Sequence, residues 1–313
     1  MKDLQLTGAL DGLKVLDLSD LSRYKLAVDK GQQAGWGYYF PNLLTYNRPG
    51  RGAALIAEDG DSVCVYRWVR RNSGPRLDLL LAPTPMDARV LQRSLERAND
   101  FNGDFSARVL RLDAKDAAAA ASLSDLHIRE HKSQYLYSPQ SFADISGRKY
   151  RTLRRNVQGV EALPDVEVLP YSELHAEGCR ELLRRWSRRH RATHGTQGGV
   201  GTTGRALELP EKFTELDLRG EVVLIDGRLA AFAFGGEIRP GMGAFLDAKC
   251  DIEVQGLSYF HRYSFLSKLR HFELVNDGSD VGREGLRQLK NSLRPVGMHT
   301  EYRGTQLRAQ GLP

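Results

Sequence analysis

Residues 221–236 read EVVLIDGRLAAFAFGG, and the chain then runs through GAFLDA (243–248), GLSYFHRYSFLSKLRH (256–271), FELVN (272–276), VGREGLRQLKNSL (281–293) and MHTEYRG (298–304). Two apolar runs meet at Asp226-Gly227, a dipeptide that accepts the positive φ of a tight hairpin turn, so 221–236 reads as two antiparallel strands. GAFLDA is too short for a helix and reads as a third strand. Residues 256–271 form a helix, FELVN a strand, and 281–293 a second helix stopped by Pro295, which has no N–H to continue it. MHTEYRG is the last strand. Hairpins followed by alternating helices and strands give a mixed sheet with helices on its faces.

Working outward, VEVLP (166–170) is another strand, and Ser172 can cap a long helix that buries Cys179, Leu182, Leu183 and Trp186. GTQGGVGTTG (195–204) reads as a glycine-threonine loop, either a lid that orders around substrate or a passive surface connection. The first half repeats the order in outline. GAALIAEDGDSVCVYRWV (52–69) is a hairpin turning at Asp59-Gly60, and LDLLLAP (77–83) is a buried strand. Pro85 opens a helix that turns Val90, Leu91, Leu95 and Ala98 inward. ARVLRL (107–112), the alanine-rich helix at 116–123 and a short strand near Leu126–Arg129 follow. SPQSFADISGRKYRTLRRNV (138–157) reads as a helix, a break at Gly147 and a basic helix. That break sets the expected domains at 1–146 and 147–313. No sequence identity recurs at a fixed period, so any duplication is one of fold.

Composition narrows the function. Hydrophobic residues at 41% and charged residues at 27% describe an ordinary globular chain. No stretch approaches the roughly 20 apolar residues of a membrane-spanning helix. The start, MKDLQLTGALDGLKV, lacks the basic head and apolar core of a secretory signal, so a cytoplasmic location is expected. Cys64, Cys179 and Cys250 are far apart and the histidines follow no HExxH spacing, so neither a disulfide framework nor a metal site is expected. The net charge of +6 and pI near 9.2 suit a phosphate-rich partner, either nucleic acid or an anionic membrane surface.

Two stretches carry a resemblance. SQYLYSPQSFADISGRKYRTLRRNV (133–157) places a tyrosine pair before a helix, a glycine and a basic helix. VNDGSDVGREGLRQLKNSLRP (275–295) places an Asn strand end before an Asp-x-Gly turn and a GLR-x-x-K helix. Both, and more loosely GWGYYFPNLLTYNR (35–48), resemble the family containing the C-terminal domains of phosphatidylglycerol lysyltransferases. The resemblance covers nearly the whole chain. It implies an α+β (α/β) fold of tandem GNAT-like (acyl-CoA N-acyltransferase) domains, each a mixed, mostly antiparallel sheet flanked by helices. It also implies transfer of an aminoacyl group from aminoacyl-tRNA to an acceptor, which is phosphatidylglycerol in the membrane-bound members. The transmembrane portion of those members has no counterpart here, which leaves a small molecule, a peptide or a lipid head group as acceptor.

Aminoacyl transfer needs a positioned nucleophile, a stabilised oxyanion and a grip on the tRNA end and on the substrate ammonium. In the last helix Leu286, Leu289 and Leu293 have core spacing, while Arg283, Arg287, Lys290 and Arg294 follow at i, i+4, i+7, i+11 as a basic stripe. By resemblance Lys290 and Arg294 are expected to bind the tRNA terminus or the oxyanion; a solvated amphipathic helix is the alternative. Tyr302 can protonate the leaving ribose oxygen. Asp280 is a helix N-cap or a ligand of the α-ammonium. Asp247, Asn276 and Glu284 are further substrate-binding candidates, Asp247 because GNAT folds split their sheet near that position. Arg151, Arg154 and Arg155, with Arg148 and Lys149, form one basic cluster. Arg184, Arg188 and Arg189, with Arg185 and Arg191, form another that has no acid among them. Both can follow tRNA phosphates, and the second can equally meet anionic lipid. EVQGLSYFHR (253–262) has only Gly256 at its helix start, a poor cradle for an acyl-CoA pyrophosphate, so no cofactor is expected beyond aminoacyl-tRNA as co-substrate. An acyl-CoA N-acyltransferase and a non-catalytic RNA- or membrane-binding module are the alternatives, and a monomer is expected.

Overall fold

In a computed structural model that describes residues 10–123, 125–194, 200–209, 213–216 and 218–306, the chain divides into two units. One runs to Ser133 and resumes at His299, and the other is Gln134–Met298.

The first unit opens with β1 (Lys14–Val15), α1 (Leu21–Lys30) and α2 (Phe40–Leu44). The hairpin β2 (Gly52–Asp59) and β3 (Ser62–Arg71) closes at Asp59↔Ser62, with Gly60 at φ +59 supplying the left-handed residue the turn requires. β4 (Gly74–Leu79) continues the antiparallel meander. α3 (Ala88–Asn102) then crosses over, and β5 (Arg108–Asp113) returns parallel to β4. α4 (Ala114–Ala120) and β6 (Leu126–Tyr137) follow. α3 starts later than Pro85 suggests. Asp87 is its N-cap, accepting from the amides of Arg89 and Val90, because an Asp carboxylate satisfies two of the orphan donors that a proline cannot. Val90, Leu91, Leu95 and Ala98 do face the core, against Leu55, Leu77, Leu79, Val109 and Leu112.

The second unit repeats this order. The 3-10 turns at Pro139–Phe142 and Arg148–Tyr150 lead into α5 (Arg151–Glu161). The turn at Pro139–Phe142 replaces the first of the two helices read there. β7 (Val166–Pro170) precedes the capping box of Ser172 and His175 and then α6 (Ala176–His194). α7 (Val200–Ala206) and α8 (Phe213–Leu216) are short. Residues 195–199 of the glycine-threonine stretch lie outside the described residues, and its remainder is the start of α7 rather than a loop. β8 (Arg219–Ile225), β9 (Arg228–Arg239) and β10 (Met242–Cys250) form the meander, and α9 (Leu257–Ser267) crosses over. β11 (Leu274–Asn276) lies parallel to β10, and α10 (Glu284–Ser292) ends before Pro295. Phe245, Phe265, Phe272, Leu257, Leu266 and Val275 pack with Leu153, Val157 and Val160 of α5 into this unit's core. Each such ring or aliphatic chain contributes roughly 1.5–3 kcal/mol when fully buried.

Each unit therefore has an antiparallel meander, a crossover helix and a parallel strand. The sixth strand breaks the chain order. β12 (Gly297–Gln306), at the end of the chain, pairs antiparallel with β5 in the first unit. The end of β6 pairs antiparallel with β11 in the second, through Leu136 and Tyr137. The boundary so falls at Ser133/Gln134, ahead of the 146/147 break expected from Gly147, and the last strand belongs with the first unit. The strand read as Leu126–Arg129 extends to Tyr137 because its second half has this other partner.

Candidate active site in the second unit

β10 and β11 pair only from Met242↔Leu274 to Ala244↔Asn276. Beyond that point they part. The chain after β11 follows β6 instead, with Asp277 N donating to Tyr135 O (2.9 Å) and Tyr135 N to Gly278 O (3.1 Å). β10 continues along β9 as far as Cys250, with its register shifting between Phe245 and Asp247. The parting leaves two short carboxylate-bearing segments at the same end of the strand pair, Asp247–Lys249 on β10 and Asp277–Asp280 after β11.

Asp277 is buried between two cations. Arg262 of α9 binds its Oδ1, and Lys290 of α10 stands 3.2 Å from its Oδ2. Lys290 Nζ also donates to the carbonyls of Asp277 and Gly278, the latter at 3.1 Å, and lies 5.3 Å from the Tyr135 ring centroid. Lys290 is only 1% exposed, and burial pushes its ammonium down to about 8 against the pull of Asp277. The basic stripe read along α10 thus breaks at this residue. Lys290 lies one turn from both Leu286 and Leu293 and shares the inward face with buried Leu289 and Leu293. Its donors are taken up by the turn after β11, which makes it the group that fixes this turn. The carbonyl of Lys290 in turn accepts from Tyr137 Oη at 2.9 Å.

Asp280 sits at the mouth of this arrangement. Its Oδ2 accepts from Tyr135 Oη (2.9 Å) and Arg287 Nε (2.8 Å), and its Oδ1 from Gly282 N (2.9 Å). Partial burial works to raise its pKa, but Arg287, the Gly282 amide and Tyr135 together hold it below the usual carboxylate range. It does not cap α10, whose N-cap is Arg283 without a side-chain bond. Asn276 is fully buried. It donates to Gln134 Oε1 (2.7 Å) and accepts from Gly278 N (2.9 Å), holding the strand end in place. Glu284 is exposed and pairs with Arg287 at 3.3 Å.

Asp247 is gripped from three sides. Its carboxylate accepts from Lys249 Nζ (2.5 Å), from its neighbour's amide Ala248 N (2.8 Å) and from the hydroxyl of buried Thr203 on α7. Lys249 Nζ lies 5.1 Å from the Trp186 ring, which stacks on His190 at 4.5 Å, and His190 Nε2 is 2.9 Å from Arg283 Nη2. A chain of contacts therefore connects α7, β10, α6 and the start of α10.

The remaining sequence candidates are dispersed. Arg294 is exposed, at φ +58, and donates Nε to Lys149 O (2.8 Å). Tyr302 lies on β12, packed against the core of the first unit. Arg154 is spent on structure, donating Nη1 to the carbonyls of Ile145 (2.6 Å) and Ser146 (2.6 Å). Arg151, Arg155 and Arg188 are exposed. Arg184 pairs with Glu177 (3.0 Å), and Arg189 with Asp251 (3.3 Å) and Glu253. The α6 run thus has acidic partners one or two turns back and in the loop after β10, which inspection of the run alone leaves out. Sequence reading missed Arg262, Asp277, Tyr135, Lys249 and Thr203. Arg262 gave a signal, a lone cation amid the apolar GLSYFHRYSFL, and Asp277 adjoined a residue already singled out.

Among the described residues no group of three His, Cys, Asp or Glu side chains is placed to hold a metal ion, and no helix is long and apolar enough to cross a membrane. The three cysteines are free thiols.

Comparison with known proteins adds a family. The sequence model described as phosphatidylglycerol lysyltransferase, C-terminal, matches residues 44–303. No curated protein matches by sequence. Among solved structures, a conserved protein of unknown function from Bacteroides thetaiotaomicron superposes with a TM-score of 0.81 at 22% identity, covering 94% of this chain and 99% of that one. The structure of L-PGS from Bacillus licheniformis gives 0.59 at 15% identity, covering 93% of each. A tandem GNAT protein from the clavulanic acid biosynthesis pathway gives 0.53 at 13% identity, covering 94% of this chain and 98% of that one. The fold is thus the tandem GNAT-like one, a mostly antiparallel mixed sheet with helices in each half.

Proposed function

The chain belongs to the phosphatidylglycerol lysyltransferase C-terminal family, a family of aminoacyl-transfer type, and on that premise we propose that it moves an aminoacyl group from aminoacyl-tRNA to an amine or hydroxyl acceptor. The observation that carries the reading is the pair of anchored carboxylates, Asp247 and Asp280, at the end where β10 and β11 part.

An aminoacyl ester brings an ammonium, a carbonyl that becomes an oxyanion under attack, and a ribose oxygen that leaves. Asp280 is kept ionised by Arg287 and Tyr135, so it can receive the ammonium without having to lose a proton first. Asp247 offers a second acceptor for the ammonium or for a basic side chain. Arg287 is half exposed beside Asp280 and supplies the positive charge that a developing oxyanion or the terminal tRNA phosphate requires. Lys290, Arg262 and Asn276 position the turn that presents Asp280. In this reading Arg151, Arg155 and Arg188, which are exposed, follow tRNA phosphates. Arg184 and Arg189 can join them, because exposed ion pairs contribute at most about 1 kcal/mol and exchange readily for phosphate. Arg294, in this reading, contacts the tRNA end from the surface.

Gly256 bears on the acyl-CoA alternative. A Cβ there would stand 3.0 Å from the carbonyl oxygen of Asn156, so α5 packs closely against the residue that starts α9, and a lone glycine at that start makes a poor pyrophosphate cradle. The acceptor class, whether a small molecule, a peptide or a lipid head group, follows from the product. Asp280→Asn and Arg287→Gln should each lower kcat/KM for the charged tRNA about 10- to 150-fold, the range of one charge-assisted hydrogen bond at about 1.5–3 kcal/mol. Wild-type rates in both variants, or saturable transfer from acetyl-CoA, would contradict the assignment.

A further inference from the structure

The first unit holds a second polar constellation that aminoacyl transfer does not use. Its strands run in the order β5, β12, β6. The β5–β12 register slips between Tyr302↔Leu112 and Gly304↔Val109, so Arg303 stands opposite both Leu110 and Arg111. Glu301 pairs with Asp113, and side-chain alternation places Arg111, Glu301 and Arg303 on one face. Arg111 Nη2 donates to Tyr46 Oη (2.9 Å), and its guanidinium lies 5.7 Å from the Trp36 ring and 5.9 Å from that of Tyr46. Its Nε is 3.7 Å from Glu301. Arg303 Nη2 lies 2.9 Å from His131 Nε2 on β6.

Two nitrogens are left over. Arg111 Nη1 and Arg303 Nε are shielded from solvent and have no hydrogen-bond partner. A buried donor without an acceptor costs about 1–3 kcal/mol, more when it carries charge, so two on facing strands mark a place where an acceptor is missing. Several cations stand around them, with the Glu301 carboxylate among them. Burial, and then the charges of Arg303, Lys132, Arg111 and Arg129, push His131 down to about 4. Burial and neighbouring arginines also lower Lys132 and Arg303, with Glu301 as the opposing charge. At neutral pH His131 is uncharged. If its Nε2 accepts from Arg303, its Nδ1 carries a proton and becomes a third donor.

We propose that Arg111, Arg303 and His131 form an anion site in the first unit that takes a phosphoryl group, either of a soluble phosphate ester or of a lipid head group. Donors from three adjacent strands suit a tetrahedral oxyanion with oxygens in several directions, and guanidinium is the side chain that matches phosphate with paired N–H groups. Trp36 and Tyr46 form an aromatic wall beside the guanidinium of Arg111, against which the organic part of an ester can pack. The site stands independently of the aminoacyl reading, since all its residues lie in the first unit.

The test uses the whole chain, with inorganic phosphate, glycerol 3-phosphate and vesicles of phosphatidylcholine with and without phosphatidylglycerol as probes. Binding is read by the His131 imidazole resonances and by vesicle co-sedimentation. Saturable shifts of His131 with phosphate or glycerol 3-phosphate, weakened at least tenfold in Arg303→Gln, support the site with a soluble ester as ligand. Sedimentation only with the anionic vesicles, lost in Arg303→Gln, supports it with the lipid phosphodiester as ligand. Arg303 is half exposed and Lys132 exposed, so Arg303→Gln and Lys132→Gln remain readable even where Arg111→Gln fails to fold. If no probe moves His131 and no vesicle is retained, or if Arg303→Gln binds as the wild type does, the proposal is overturned.

Discussion

Replacing Lys290 by Met should change how stability depends on pH, and the size of the change follows from where the ammonium sits. Lys290 is enclosed by Asp277, the Gly278 carbonyl and the Tyr135 ring, and burial lowers its pKa from 10.5 to about 8. The folded value lies below the unfolded one, so between them the unfolded chain binds more protons, and stability rises with pH. At pH 7 both states hold the proton and the slope from this group is close to zero. From about pH 8 to about pH 9.5 the folded state loses it while the unfolded state keeps it. That is about one and a half decades at about 1.4 kcal/mol each, or roughly 2 kcal/mol gained. Lys290→Met keeps most of the volume and removes the titration. It also leaves two carbonyls short of a donor, at about 1–3 kcal/mol for each left unsatisfied, and takes one cation away from Asp277, offset by no longer burying an ammonium. Urea denaturation followed by tryptophan fluorescence at pH 7.0 and 9.5 measures both effects. The wild type should gain about 2 kcal/mol relative to the variant between the two pH values. Identical pH dependence in the two proteins would refute the buried, proton-releasing Lys290.

Other consequences are as specific. Asp116 is buried, accepts from Gln33 Nε2 at 2.9 Å, and is pushed up to about 6 by burial. Its folded pKa exceeds its unfolded one, so its contribution to stability falls as pH rises from 3.8 to about 6. Asp116→Asn should therefore stabilise the chain at pH 7 by up to about 3 kcal/mol and remove the fall in stability that Asp116 contributes between pH 3.8 and about 6. Gly235 faces the Ala244 carbonyl so closely that a Cβ would overlap it, and Gly235→Ala should cost about 1–3 kcal/mol in the same denaturation assay. Arg154→Ala should lower stability because it uncaps three carbonyls between Ile145 and Gly147. Arg155→Ala should leave stability within about 0.5 kcal/mol and instead flatten the salt dependence of tRNA binding.

Local chemistry made much of the fold legible. Asp59-Gly60 and Asp226-Gly227 close hairpins, Ser172 caps, and Val90, Leu91, Leu95 and Ala98 point inward because turn residues and periodicity act over a few positions. The sixth strands were not legible. β12 pairs with β5 and the end of β6 with β11, and no local pattern states which distant edge a strand will join. Of the candidate site, chain order alone shows that Asp247 ends one strand segment and that Asn276 and Asp280 end and follow another, and the parallel pairing of β10 with β11 puts both at the same end. Lys290 carries a charge that suggests a solvent-facing stripe, yet it lies one turn from Leu286 and from Leu293, and that spacing turns it to the buried face. The pairing of Arg189 is not local, since its partners Asp251 and Glu253 lie some sixty residues away in sequence. Arg262 and Lys249 are recognisable only once β11 and α6 are placed beside them.

The most direct test of the account is transfer from total tRNA charged with a mixture of labelled amino acids, with cell-extract lipids and small metabolites offered as acceptors. Enzyme-dependent movement of label from tRNA into an extractable product, sharply reduced in Asp280→Asn, is the predicted result. Label that stays on the tRNA in the presence of folded protein and all acceptors would contradict the aminoacyl-transfer reading and leave the family membership as a statement of fold.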